Sequence, residues 1–159
     1  MLRHLSQYLG ATEQAMRENG IALGQDLELA VAYLNIQQIR MGTRLAFEIE
    51  VPADVREARV PPMTVTTLVE NAIKHGLSPL LEGGAVRIGA HLDDPMLTIL
   101  VSDTGAGFQA SLGVGVGLAN VRARLAILHG AVAQLSLSQN APRGVTATVV
   151  VPMPVASAA

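Results

Sequence analysis

Between Val101 and Leu118 the chain reads VSDTGAGFQASLGVGVGL, with five glycines in the thirteen positions from Gly105 to Gly117. A segment this rich in glycine loses too much backbone entropy to form the interior of a helix or strand. It must be a connection. The apolar run Leu97, Ile99, Leu100 and Val101 before it reads as a buried strand. After it, Leu118, Val121, Leu125 and Leu128 recur at helical spacing until Gly130. Backbone N–H groups exposed just ahead of a helix N-terminus suit an anion, most often a phosphate. Asp103, at the strand's end, is a candidate base reader, because a carboxylate accepts a hydrogen bond from an exocyclic amine. Together these features point to a nucleotide. The competing reading is a tight strand-to-helix connection with no ligand, and the glycine spacing is not that of a Rossmann fingerprint.

Composition narrows the classes. A chain of 159 residues with half its residues hydrophobic and 15% charged is globular. A net charge of −2 leaves no electrostatic footprint for nucleic acid, so none is expected as a partner. A bound phosphate must therefore rely on backbone amides, a metal and a few cations. There is no cysteine, and His4, His75, His91 and His129 are too scattered to form a metal-ligand cluster. No apolar run reaches the roughly 18 residues of a membrane span. With Phe47, Phe108, Tyr8 and Tyr33 as its only aromatics, the chain would hold an adenine in an aliphatic pocket.

Read in order, residues 1–18 form a helix, and a stronger one runs from Leu23 to Met41. The second helix has two apolar stripes, Leu23/Leu27/Ala30/Leu34 and Leu29/Tyr33/Ile36, so it must pack on more than one neighbour. That neighbour is either its own domain or a docking or dimerisation partner. After Gly42 the period becomes alternating: Leu45, Phe47, Ile49 and Val51 face one way in a half-buried strand. Pro61-Pro62 forbids helix until Met63. Then Val65, Leu68, Val69, Ala72 and Ile73 gather on one side of a helix, with Thr67, Glu70, Asn71, Lys74 and His75 on the other, and Gly76 as its C-cap. Asn71, Lys74 and His75 bring together an oxygen ligand for a hard cation, an ammonium and an imidazole. Mg²⁺ takes few protein oxygens and lets phosphates and water complete its shell. Taken singly, each residue is ordinary on an exposed helix face; the constellation carries the reading. Residues 85–91 and 96–101 form a hairpin, as do 133–138 and 145–151. Arg122 and Arg124 lie off the apolar stripe of the last helix and are expected in solvent.

The motifs LVENAIKHG, DTGAGF and GVGVGLANVRARL, in that order, resemble the N, G1 and G2 boxes of the GHKL ATP-binding superfamily, which includes gyrase, MutL and the sensor histidine kinases. More narrowly, LGQDLELAVAYLNIQQIRMG, VPPM, VENAIKHG and LANVRARL resemble the C-terminal catalytic region of LytS-type sensor histidine kinases. The similarity covers nearly the whole chain from Leu23 to Pro152. It implies an α+β, two-layer α/β sandwich of the GHKL (Bergerat) type. Its mixed, mostly antiparallel sheet of about five strands is covered by helices on one face and preceded by a helical hairpin. The expected boundaries are 1–42 for the end of the dimerisation and phosphoacceptor helices, 43–154 for the ATP-binding domain, and 155–159 for a disordered tail.

The resemblance also implies roles. Asn71 would ligate Mg²⁺ between the ATP phosphates, with Lys74 and His75 near the phosphates or the lid. Asp103 would receive the adenine amino group, with Gly105 and Gly107 passing beneath the base. Gly113, Gly115 and Gly117, with Leu118, would hinge the ATP lid and offer amides to the phosphates. Thr146 or Thr148 would hold a water at the adenine. The family passes the ATP γ-phosphate to a histidine and from there to a response regulator. No acceptor box of that kind is present, and His4 lies in a segment resembling the stretch after it. The chain is therefore expected to be the cytoplasmic catalytic part of a longer kinase, weakly dimeric through its helices. The ATPase branches place a general-base Glu four residues before the Asn. Here that position is Thr67, which fits transfer better than hydrolysis. A GHKL ATPase, a serine kinase and a nucleotide-binding pseudokinase remain as alternatives.

Overall fold

The change of period at Gly42 marks where helices give way to sheet. A computed structural model describes residues 2–107 and 116–153. The described elements are helix α1 (Leu2–Ala15), strand β1 (Ile21–Ala22), helix α2 (Leu23–Met41), strands β2 (Leu45–Glu50) and β3 (Arg59–Val60) and helix α3 (Thr64–Asn71). They continue with strands β4 (Gly84–Asp93) and β5 (Met96–Asp103), helix α4 (Val116–His129), and strands β6 (Gln134–Gln139) and β7 (Val145–Pro152). The five long strands form one sheet in the order β2-β4-β5-β7-β6, parallel between β2 and β4 and antiparallel elsewhere. This is the expected mixed, mostly antiparallel sheet.

Alternation decides which face the helices cover. Leu97, Ile99 and Val101 of β5, with Ala147, Val149 and Val151 of β7, are buried, whereas their sequence neighbours are half-buried. A period of two leaves the second face lined by Thr98, Ser102, Thr146 and Thr148. The Glu48–Arg87 ion pair is highly exposed and contributes little.

The two stripes of α2 are both used inside this chain. Leu23, Ala30 and Leu34 are fully buried, and Tyr33 of the other stripe meets the Tyr8 ring of α1 at 6.1 Å between centroids. Burying a leucine side chain contributes roughly 1.5–3 kcal/mol, so α2 is integral to the core. The small β1–β3 ladder, too short to read from the sequence, pairs Ile21 with Val60 and ties α2's start to the loop before α3. Helix α2 therefore shares a core with the sheet, and α1 is the more exposed of the two helices.

Helix α3 begins unusually. Its N-cap residue, Met63, has φ 68° in the left-handed region and makes no side-chain cap. The missing acceptor comes from α2. Asp26, fully buried, accepts from the Val65 N–H at 2.7 Å through Oδ2 and from the Thr66 hydroxyl at 3.0 Å through Oδ1. Burial pushes the Asp26 carboxyl up to about 6 despite these hydrogen bonds. Its unfolded value is 3.8, so between those values the folded chain holds a proton that the unfolded chain has released. This contribution to stability is therefore complete below the unfolded value and lost as pH rises through the folded one. Compared with Asp26→Asn, the natural chain should gain about 1 kcal/mol on going from pH 7 to pH 5. Urea unfolding of both proteins at the two pH values measures it, and parallel behaviour would refute it.

Candidate nucleotide site

The site is built where the far end of α3 meets the end of β5. Instead of stopping at a Gly76 C-cap, the α3 chain continues as a π-helical turn over Ala72–Leu77, closed by Ser78 N–H donating to the Ile73 carbonyl at 2.8 Å. Such turns widen a helix locally and recur at functional sites. Here it presses Gly76 against Asp103: a Cβ on Gly76 would lie 2.8 Å from Asp103 Oδ1, and a Cβ on Gly105 would overlap the Gly76 backbone. The Ala106 N–H donates to the Gly76 carbonyl at 2.9 Å across this contact. Gly76 is thus a close-approach residue. The signal for it was a glycine at the end of the polar face of VENAIKHG.

Asp103 is held from three sides. It is 6% exposed, on the helix-covered face of β5. Its Oδ1 accepts from Gly105 N–H at 2.8 Å and from Val145 N–H at 3.4 Å. Its own carbonyl accepts from the Asn140 side-chain amide at 3.1 Å. Among the described residues Oδ2 takes no hydrogen bond, and no fully buried side-chain polar atom lacks a partner. Oδ2 therefore keeps an open side for a ligand donor. Burial raises the carboxyl above its usual value, against the pull of the two N–H donors. Gly144, with φ 109°, lies so close that a Cβ there would overlap the Asp103 carbonyl oxygen. The hairpin of residues 133–138 and 145–151 implies a turn here, but not the turn's grip on the acid.

Thr146 belongs elsewhere. The register pairs Ser102 with Thr146, so both lie on the open face of the sheet, opposite the Asp103 carboxylate. The Thr146 hydroxyl donates to Asn140 Oδ1 at 2.6 Å and meets the Ser102 hydroxyl at 2.5 Å. Thr148, two residues on, shares that face. The part of β7 that touches the acid is the Val145 amide, and the Thr146 hydroxyl is linked to the acid's carbonyl through Asn140.

From Asp103, the polar face of α3 leads back to the start of α4. Asn71 is half-buried, five residues before Gly76 and about 7 Å from it along the axis. Lys74 and His75 are exposed on the π-helical turn. At the other end a Cβ on Gly117 would lie 3.1 Å from the Thr67 methyl, so the N-terminus of α4 rests on α3 at Thr67. A cavity of about 250 Å³ opens beside this contact, between Thr12 of α1, Met16 just after that helix, Met63, and Arg124 of α4. Arg124, expected in solvent, donates to the Pro62 carbonyl at 3.4 Å. Leu118 is buried in the core at the start of α4. Gly107 adopts φ 81°, in the left-handed region that favours glycine. Gly113 and Gly115 lie outside the described residues.

Glu70, beside Asn71, accepts from the Tyr8 hydroxyl at 3.3 Å. Burial, reinforced by the charge of Glu70, raises the Tyr8 hydroxyl, and the same causes raise Tyr33 to about 12. Among the described residues no group of His, Asp and Glu could hold a metal by itself. Any metal here would depend on one oxygen ligand, phosphates and water. That donor set fits Mg²⁺ with Asn71 as its protein ligand.

An acid at a strand end with one oxygen unbonded among the described residues, a glycine-rich sequence before a helix and an Asn-bearing helix define an ATP-binding domain of the two-layer sandwich type. The chain belongs to the histidine kinase-, DNA gyrase B-, and HSP90-like ATPase family, whose profile matches residues 62–155. It is 31% identical over 148 residues to the sensor protein LytS of Staphylococcus haemolyticus, covering 85% of this chain and 25% of that protein. It is 34% identical over 107 residues to the sensor histidine kinase BtsS of Escherichia coli strain K12, covering 65% of this chain and 19% of that one. The chain thus spans about a quarter of the length of the curated relatives it matches. Among solved structures, the catalytic domain of histidine kinase ThkA superposes with a TM-score of 0.64 at 18% identity, covering 84% of this chain and 94% of that one. The histidine kinase domain from Erythrobacter litoralis EL346 superposes at 0.65 and 21%, covering 96% and 74%. The fold is that of histidine kinase catalytic domains. No described helix is long and apolar enough to cross a membrane.

Proposed function

We propose that this domain binds ATP with Mg²⁺ and presents the γ-phosphate for transfer to a histidine of the longer kinase, from which a response regulator takes it. The observation that supports transfer over hydrolysis is Thr67. It occupies the position where a water-activating carboxylate would stand, its methyl packs towards Gly117, and a hydroxyl cannot take a proton from water at neutral pH. Glu70, the acid on the same helix, is engaged by Tyr8. In this reading Asp103 binds the adenine amine, Asn71 holds Mg²⁺ against the phosphates, and Lys74 and His75 offer positive charge to them. The metal, when bound, neutralises charge on the β- and γ-phosphates.

The same reading makes the domain the cytoplasmic end of a sensor kinase, where ATP is available. It also makes α1 the contact to a second copy: Leu2 and Leu9 of that helix are 83% and 56% exposed. In calorimetry the chain should bind ATP, and more weakly when Mg²⁺ is chelated. Incubated with labelled ATP, the chain alone should carry no acid-labile phosphate and release phosphate slowly. Stable labelling of His4, or fast hydrolysis, would overturn the reading. Absence of nucleotide binding would make it a pseudokinase.

A further inference from the structure

Helix α3 carries Asn71 but does not cap itself. The first N–H groups of a helix have no partner within it, and Met63, at the N-cap position, supplies none from its side chain. The Asp26 carboxylate of α2 takes the Val65 N–H at 2.7 Å and the Thr66 hydroxyl at 3.0 Å with no exposure to water. A carboxylate at this end of a helix also favours the macrodipole. The apolar stripe Val65, Leu68, Val69 and Ile73 sets the rotation of α3, but apolar contacts resist sliding along the axis weakly because they are non-directional. Directed contacts hold the axial position: Asp26 at one end, the Gly76 carbonyl with Ala106 N–H at the other. Asn71 lies between them, six residues after Val65.

We propose that Asp26 is a positioning residue for the ATP site: by capping α3 from α2, it sets where Asn71 stands relative to Asp103. The inference rests on the reading of Asn71 given above. Helix α2 also carries Tyr33, whose ring lies tilted against that of Tyr8, and the Tyr8 hydroxyl donates to Glu70 beside Asn71. The helical hairpin thereby holds α3 near both ends, and a movement of the hairpin reaches Asn71 through Asp26.

The test is calorimetry on the full chain with Mg·ATP, with ATP under chelation, and with adenosine, which carries no phosphate. Asp26→Asn keeps an acceptor for Val65 N–H and should stay within about two-fold of the natural chain for all three. Asp26→Ala should lose about ten-fold on Mg·ATP while adenosine stays within about two-fold, because a small displacement of a positioned group is felt only by the ligand it serves. Thr66→Val, which removes one partner of the carboxylate, should fall between the two and carries the same comparison if Asp26→Ala does not fold. Full Mg·ATP affinity in Asp26→Ala, or equal losses for adenosine and Mg·ATP, would reduce Asp26 to a stabiliser of the whole domain. A natural chain with no metal-dependent gain would refute the metal role of Asn71. Its position would then be read from its side-chain amide resonances, which Asp26→Ala and Thr66→Val must shift and Asp26→Asn must not; unshifted signals overturn the inference.

Discussion

Replacing Asp103 by Asn should weaken ATP binding by roughly 5- to 150-fold, corresponding to about 1–3 kcal/mol for a mismatched buried polar contact. The direction follows from how the side chain is held. Oδ1 accepts from the Gly105 and Val145 N–H groups, so the amide oxygen of an asparagine must occupy that place. The amide nitrogen is then forced to the Oδ2 position, where it points a donor at the amino group of adenine. Guanine offers an acceptor oxygen at the equivalent position, so the variant should lose its preference for ATP over GTP. Calorimetry with both nucleotides measures this. A variant that binds ATP as tightly as the parent, with GTP competing no better, would show that Asp103 does not read the base.

A methyl group on Gly105 should damage both the site and the fold. Its Cβ would overlap the Gly76 backbone, which cannot move aside as a flexible side chain could. Either the end of β5 or the π-helical turn must shift, and the hydrogen bond from Ala106 N–H to the Gly76 carbonyl goes with it. Overpacking and the lost hydrogen bond together cost about 2–4 kcal/mol, a fall in Tm of roughly 5–15 °C for a chain of this size. ATP binding should be abolished, because the displaced elements carry Asp103 and Asn71. Gly10→Ala is the control. Nothing lies within 4 Å of a Cβ at Gly10, so that change should leave stability unchanged or raise it. A Gly105→Ala chain that melts with the parent would mean that α3 and the strand end separate without penalty.

Most of the elements were legible because they depend on local rules. The period of Leu23–Met41 marked a helix, the alternation from Leu45 marked a strand, and Gly130 ended α4, where φ is 71°. The order of Asn71, Asp103 and the glycines was legible for the same reason, since each motif lies within one stretch of chain. What local rules do not show depends on phase or on distant contacts. Thr146 and Thr148 stand one strand from the acid, but a strand's side chains alternate, and the Ser102–Thr146 register sends theirs to the other face. Gly76 resembled a helix stop because a glycine after a polar face normally is one. Only the approach of β5 reveals that it must lack a Cβ.

The primary structure by itself determined the kinds of element, the glycine connection and the residue types available to meet a nucleotide. Periodicity and backbone freedom are properties of consecutive residues. The tertiary structure alone decided which of those residues meet. It set Asp26 at the start of α3, 39 residues away in sequence, and turned one oxygen of Asp103 towards Gly105 and Val145 while the other takes no hydrogen bond among the described residues. It also joined α2 to the sheet's own core rather than to a separate helical unit. These outcomes depend on hydrogen bonds and close packing between segments far apart in the chain, whose geometry exists only once the core has formed.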